Sequence, residues 1–255
     1  MIRAQEVFNS AAAVWRMDGS GDVEASGAAA VGVALTGDAR AASLARGGDG
    51  LVARLEGGCL FLGCRTPIDW SGREALTLCI RLRADGGRWE GAILSRSDPG
   101  DALGVLLRGA AVDRAVLNPP AARRLRGGSA IEFVWRSGPL PGAVTPDFLE
   151  TEWCRALRRI SGADFDDGIL RLGAPADLIG AGDWHDLVLR FRRGHLACFA
   201  DGVLVDEEWP PGNVERFATP LLLGAAYEAG ALVPGFRGWV DHAAVWDRAL
   251  DDDEI

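Results

Sequence analysis

Three histidines, His185, His195 and His242, are the only side chains of this sequence whose ordinary acidity lets them exchange a proton near neutral pH. Nucleophilic catalysis would need one of them beside an activated Ser or Cys, and no Ser stands in a G-x-S-x-G setting. His185 opens a strand-like run after Trp184, His195 follows the turn Arg193-Gly194, and His242 adjoins Asp241, so structural or solvent-facing roles are expected for all three. Glycoside cleavage with retention needs two carboxyl groups about 5–5.5 Å apart. The nearest acidic cluster, Glu150-Thr151-Glu152, has no third acid in register. Asp251-Asp252-Asp253-Glu254 reads instead as a charge run that complements the dipole of a helix start. Five cysteines, Cys59, Cys64, Cys79, Cys154 and Cys198, lack C-x-x-C metal spacing and are read as free thiols. A Cys59–Cys64 bridge is the alternative.

What remains is binding chemistry. Sugar recognition uses aromatic faces flanked by planar polar groups that bridge adjacent hydroxyls, and the chain has nine Trp. Trp15, Trp184, Trp239 and Trp246 fall in strong strand patterns and are expected in the core, while Trp153 belongs to a helical stripe. Of the others, Trp70, Trp89, Trp135 and Trp209, the last precedes Pro210-Pro211-Gly212, which would hold it stiffly at a loop. The carbohydrate-binding set expected is Trp89, Trp135 and Arg96 on a concave sheet, with Tyr227 in the loop after Leu221–Gly224. A structural Ca²⁺ would need hard oxygen ligands. Asp18 and Asp241, on what should be neighbouring first and last strands, with Asp22 nearby, leave that reading open. No other cofactor is expected.

The elements that must carry these residues are short strands. Leu76, Leu78, Ile80 and Leu82 alternate with Thr77, Cys79, Arg81 and Arg83, the period of a sheet with one face on the core. Leu187, Leu189 and Phe191 alternate with Val188, Arg190 and Arg192; Arg193-Gly194 turns the chain, His195–Ala200 returns, and Asp201-Gly202 turns it again into Val203–Val205. Asp-Gly between apolar runs predicts a type I′ hairpin, because both central residues need positive φ. Val14–Asp18, Leu51–Leu55, Cys59–Leu62, Gly91–Arg96, Leu103–Leu107, Ile131–Arg136 and Leu221–Gly224 add further strands, and residues 23–50 read as a weakly patterned edge. About a dozen strands with frequent turns predict an all-β, two-sheet antiparallel sandwich. One stretch departs from this: Thr145 caps and Pro146 opens a helix to Ile160, with Leu149, Trp153, Leu157 and Ile160 on one stripe, inside an insertion over 138–167.

The chain has 255 residues, 48% of them hydrophobic, enough for one core and one domain over 1–255. A net charge of −9 argues against nucleic acid or an anionic membrane as partner, although all 27 basic residues are Arg. Met1–Glu6 lacks the apolar core of a signal peptide, and no run approaches the roughly 18 residues of a membrane span, so a cytoplasmic protein is expected.

Asp183-Trp184-His185-Asp186-Leu187-Val188-Leu189, followed by Phe199-Ala200-Asp201-Gly202-Val203-Leu204-Val205, resembles the paired strands of the laminin-G-like, concanavalin-A-like jelly rolls. Gly91–Ser95 and Leu221–Gly224 are similar to two further strands of that family. Gly238-Trp239-Val240-Asp241-His242-Ala243-Ala244-Val245-Trp246-Asp247-Arg248-Ala249-Leu250 is similar to its closing signature, with Trp246 where the family has Tyr or Trp. The resemblance is carried by 183–255 and 73–107, and 138–167 has no counterpart. It implies a concanavalin-A-like jelly roll of the kind found beside bacterial glycoside hydrolase domains, family 32 among them. It also implies that the chain, stopping at Glu254-Ile255 within the signature, is an N-terminal fragment followed by a catalytic domain.

The same fold hosts β-glucanases that use E-x-D-x-x-E, and here no Glu is followed two residues later by Asp. The fructosidase motif N-D-P-N-G is also missing, since Leu117-Asn118-Pro119-Pro120 lacks its acid. The function expected is therefore a non-catalytic carbohydrate-binding or accessory module of a glycoside-hydrolase-type protein. The alternatives are a module that packs on a neighbouring domain without binding sugar and, third, a hydrolase on the same fold.

Overall fold

A computed structural model describes residues 5–16, 24–26, 34–36, 42–47, 50–56, 59–63, 74–85, 89–97, 103–110, 130–136, 169–174, 178–180, 182–209, 221–228 and 231–255. The helix expected from Thr145, the insertion over 138–167, Asp18, Asp22, Cys64, Trp70, Cys154 and Trp153 lie outside them. In chain order the elements are α1 (Gln5–Asn9), β1 (Ala13–Arg16), β2 (Glu24–Ser26), β3 (Ala34–Thr36), β4 (Ala42–Gly47), β5 (Gly50–Glu56) and β6 (Cys59–Gly63). The next are β7 (Ala75–Ala84), β8 (Gly91–Ser97), β9 (Leu103–Ala110), β10 (Ala130–Arg136), β11 (Ile169–Ala174) and β12 (His185–Arg192). The last are β13 (His195–Ala200), β14 (Val203–Glu208), β15 (Leu221–Leu223), β16 (Ala225–Glu228), β17 (Ala231–Pro234) and β18 (Arg237–Trp246).

The strands form two antiparallel sheets and a β16–β17 hairpin. The larger sheet runs β14-β13-β12-β7-β18-β1-β2, with β5 pairing the first half of β18 and β4 pairing β5; the smaller runs β11-β10-β9-β8-β15-β6-β3. The period-two pattern of β7 and β12 turns Leu76, Leu78, Ile80, Leu82, Leu187, Leu189 and Phe191 inward to a core that receives Ile131, Phe133, Trp135, Leu221 and Leu223 from the opposite sheet. Trp135 stacks on Phe191 across that core, with ring centroids 5.2 Å apart. This is the two-sheet sandwich that the alternation predicted.

Both expected hairpins have the backbone their turns require: φ is 42° at Arg193 and 76° at Gly194, 52° at Asp201 and 80° at Gly202. Residues 24–47, expected as a weakly patterned edge, hold β2, β3 and β4, each at the margin of its sheet. Unforeseen are β11, β17, the Gln5–Asn9 helix, and the place of Tyr227 in β16 rather than in a loop.

The larger sheet has a second apolar layer on its outer face. Val14, Cys79, Val188, Ala197, Phe199, Ala244 and Trp246 are buried there under Val7, Phe8 and Ala11 from the α1 segment and Leu250 and Ile255 from the C-terminus. Trp246 Nε1 donates to Val7 O at 2.9 Å. Thr77 Oγ1 donates to Arg248 O and accepts from Leu250 N, each at 3.0 Å, which fixes the C-terminal segment over β7. The acidic run is a turn, not a helix: Asp251 N donates to Glu254 Oε2 at 2.8 Å, as in a capping box, and Arg248 grips both Glu254 oxygens at 2.6 and 2.7 Å.

Candidate functional site

Register orders the outer face of the larger sheet into rows. Phe199, Val188, Cys79, Ala244 and Val14 lie side by side across five strands, and α1 covers this middle band. The row Trp184–Arg83–Trp239–Arg54 lies at one end, where Trp239 pairs with both Arg83 and Arg54. Arg192 and His195 face each other at the other end, beside the outermost strand β14.

That second end carries the most exposed aromatic ring among the described residues. Trp209, just past β14, is 62% exposed. His195 backs it at 5.2 Å between centroids, and Nε2 of His195 meets Glu207 Oε2 at 3.0 Å. Glu207 reaches this position because Ala197 opposes it in register, and the β-bulge between Cys198 and Phe199 re-aims the strand beyond. Asp206 faces the opposite way: its carboxylate is buried and accepts from Gly173 N of β11 at 3.0 Å, tying the two sheet edges together. Next to His195, Arg192 and Arg193 line an open depression of about 410 Å³ with Glu74, Ala75, Ala249 and Asp251. Arg193 is engaged by Glu74 at 3.0 Å, whereas the side chain of Arg192 is two-thirds exposed and only 3.8 Å from Asp251 at its closest. The chemistry on offer is an indole face backed by an imidazole, a carboxylate acceptor, and a guanidinium donor.

The first end places its indoles differently. Arg83 Cζ lies 5.4 Å from both the Trp184 and Trp239 rings, and Arg54 Cζ lies 5.0 Å from Trp239. Strand order puts those two guanidiniums on either side of Trp239, so its faces are already occupied. Each contact is worth about 0.5–1 kcal/mol at an exposed site. Gly238 permits this packing, since a Cβ there would lie 2.4 Å from Arg83 O and from the Phe236 ring. Below the row, Arg81 donates to Asp186 at 3.0 Å, and the hydrogen bond from His242, aided by Arg81, holds the Asp241 carboxyl below its usual range. Trp184 and Trp239, expected in the core, are instead half-buried on the outside, packed on Arg.

The expected sugar contacts need correction. Trp89 is 1% exposed, Trp135 0% and Arg96 2%. Trp89 donates to Ile179 O at 3.0 Å and stacks near Phe236, and Trp135 lies against Phe191. Neither indole has a face for a sugar, because each fills space between the sheets. The signal was in the strand itself, where Trp135 shares its face with Ile131 and Phe133 rather than with Glu132 and Arg136. Tyr227 pairs with Leu232 in the β16–β17 hairpin, away from the Trp209 edge in register. Asp241 sits at the bulge of β18, 2.9 Å from His242 Nδ1 and 3.7 Å from Arg81 Nε. His185 is a clamp, as expected of a structural histidine: Nδ1 lies 2.7 Å from Asp201 Oδ2 and Nε2 2.9 Å from Gly180 O. Cys59, Cys79 and Cys198 are buried, and burial pushes the free Cys79 and Cys198 thiols up. Trp209, one of the four Trp outside the core patterns, stands outside the expected binding set, and its sequence signal is the stiff Pro-Pro that follows.

Residues 166–255 match the family model described as the concanavalin A-like lectin/glucanases superfamily. No curated protein matches the sequence. Among solved structures, the chain is similar to domain 4 of AbnA, a GH43 extracellular arabinanase from Geobacillus stearothermophilus, in complex with arabinotriose (13% identity, TM-score 0.59, covering 96% of each chain). It is also similar to the binding domain of Paraclostridial Mosquitocidal Protein 1 (10% identity, TM-score 0.61) and spans 97% of this chain but 51% of that one. The botulinum neurotoxin serotype D ligand binding domain, in complex with N-acetylneuraminic acid, is similar at 10% identity and TM-score 0.59, over 98% of this chain and 50% of that one. The fold is thus that of a concanavalin-A-like, laminin-G-like jelly roll.

Proposed function

We propose that this chain is a non-catalytic glycan-binding module that serves a carbohydrate-active enzyme, and that it takes sugar at the Trp209 edge of the larger sheet. The observation that carries the reading is Trp209 itself, an indole 62% exposed, backed by His195 and flanked by Glu207. A pyranose or furanose ring would stack on the free indole face, with Glu207 accepting and Arg192 donating to neighbouring hydroxyls. Fold neighbours solved with arabinotriose and with N-acetylneuraminic acid support a sugar ligand in general. The exposed guanidinium of Arg192 would favour an acidic sugar if one binds.

Calorimetric titration with arabino-oligosaccharides and with N-acetylneuraminic acid tests this. Millimolar or tighter binding that Trp209→Ala weakens about tenfold is expected. Absence of binding to any glycan, or binding unchanged in Trp209→Ala, overturns it. Exposed Val203 and Leu204 on the same edge strand favour a second reading, in which this edge packs on a neighbouring domain. A pull-down of that domain that Trp209→Ala abolishes, without any sugar titration, would select it.

A further inference from the structure

At the border between the covered apolar band and the Trp–Arg row, three strands bring a thiol, a carboxylate and an imidazole together. Cys79 of β7, Asp186 of β12 and His242 of β18 offer ligand atoms that all lie within 4.8 Å of one another. The register explains why: Asp186 and His242 flank Arg81, one row from Cys79 on the same face. Cys79 and Asp186 are buried. His242 is pinned by Phe8, whose ring meets it edge-on at 5.1 Å. Its Nδ1 lies 2.9 Å from Asp241 Oδ2, so in the neutral ring Nδ1–H donates to the carboxylate and the lone pair is on Nε2. That Nε2 is buried and has no hydrogen-bond partner among the described residues. A buried nitrogen lone pair without a donor is costly, and a carboxylate on the other ring nitrogen is what metal-binding histidines have.

We propose that Cys79, Asp186 and His242 form a binding site for a divalent cation of the zinc class, with Asp241 orienting His242. The donor set decides the class. Thiolate and imidazole favour zinc-like ions, whereas calcium and magnesium take oxygen ligands. Three protein ligands leave a fourth position for water. The charges close: thiolate, Asp186 and Asp241 contribute three negative charges, balanced by the dication and Arg81, which is bound to Asp186. An ion here would join the three central strands of the larger sheet. The site is separate from the Trp209 edge and from the calcium reading left open at Asp18 and Asp241, since Asp241 here supports a ligand rather than acting as one.

The test is titration of the chelator-stripped full chain with Co²⁺, then with Zn²⁺. One cobalt per chain is expected, with a thiolate-to-cobalt charge-transfer band in the near ultraviolet that Zn²⁺ abolishes while raising the melting temperature. Cys79→Ser should remove the band, and His242→Gln should weaken binding beyond detection. Asp241→Asn, a change at a part-exposed side chain that leaves the fold intact, should weaken it about 10–100-fold. Absence of the band in the native chain, its survival in Cys79→Ser, or unaltered affinity in Asp241→Asn overturns the proposal.

Discussion

Two regions at opposite ends of one sheet face, one with Trp184 and Trp239 and one with Trp209, use their indole rings in opposite ways. At one end Trp239 stands between the guanidiniums of Arg54 and Arg83, and Trp184 packs against Arg83 and Arg81. At the other, Trp209 is 62% exposed and touches only His195 among the aromatic contacts of the described residues. The strands are largely the same, so the difference lies in the cross-strand neighbours. The row through Arg83 supplies a cation on each side of a ring and thereby satisfies its faces internally. Among the described residues no strand lies beyond β14, and the ring contact of Trp209 there is with His195. A ring with both faces taken stabilises the fold, and a ring with one face free is available to a ligand.

The largest effect that could break this contrast is at Trp239. Trp239→Ala removes a half-buried indole and two cation–π contacts, and should cost about 2–3 kcal/mol in denaturant unfolding while leaving sugar affinity unchanged. A loss of binding there would mean that the row, not the edge, is the sugar site. Trp209→Ala is the converse: about tenfold in affinity, equal to about 1.4 kcal/mol, with stability within about 0.5 kcal/mol of the native chain. A large drop in stability would show that its exposed face is a structural contact. Arg83→Gln should be milder, about 1 kcal/mol in stability, because the amide fills the same space without the charge that both rings attract. Arg83→Lys should recover part of that loss. Equal losses in the two variants would show that the row is held by packing rather than by charge.

The sandwich was legible because its signals are local: the period-two run of β7, and the Asp201-Gly202 and Arg193-Gly194 turns whose positive φ values the structure bears out. The site was less legible because period two says which residues share a face, not what covers that face. Trp239 and Trp246 illustrate this. Both come from the closing signature, yet the β18 bulge between Val240 and His242 shifts the phase between them, and only Trp246 lies under α1. That cover comes from a five-residue helix at the far end of the sequence, too short to leave a periodic signal. The cluster of Cys79, Asp186 and His242 was illegible for a related reason, since its members are far apart in the chain and meet only through the register of three strands.

The smallest effect concerns the covered band between the two regions, whose lid is held by the Arg248–Glu254 pair. Hydrogen bonds from Arg248, then from Asp251 N, hold the Glu254 carboxyl down at about 2, against an ordinary value of 4.5. A carboxyl depressed in the folded state contributes stability above its unfolded value, and that contribution fades as pH falls from about 4.5 toward 2. The pair is solvent-exposed on the Arg248 side, so its worth is about 0.5 kcal/mol rather than what the full shift would suggest. Glu254→Gln should therefore melt slightly lower than the native chain at pH 7, and the two melting temperatures should converge near pH 2. Asp241 is also held low and gives both proteins an acid-sensitive limb, but it is common to the two and cancels in the difference. If the gap between the curves persisted at pH 2, the latch would be a packing contact rather than an ionic one. Charge would then hold the Trp239 end of the face, apolar contact its middle, and neither the Trp209 edge.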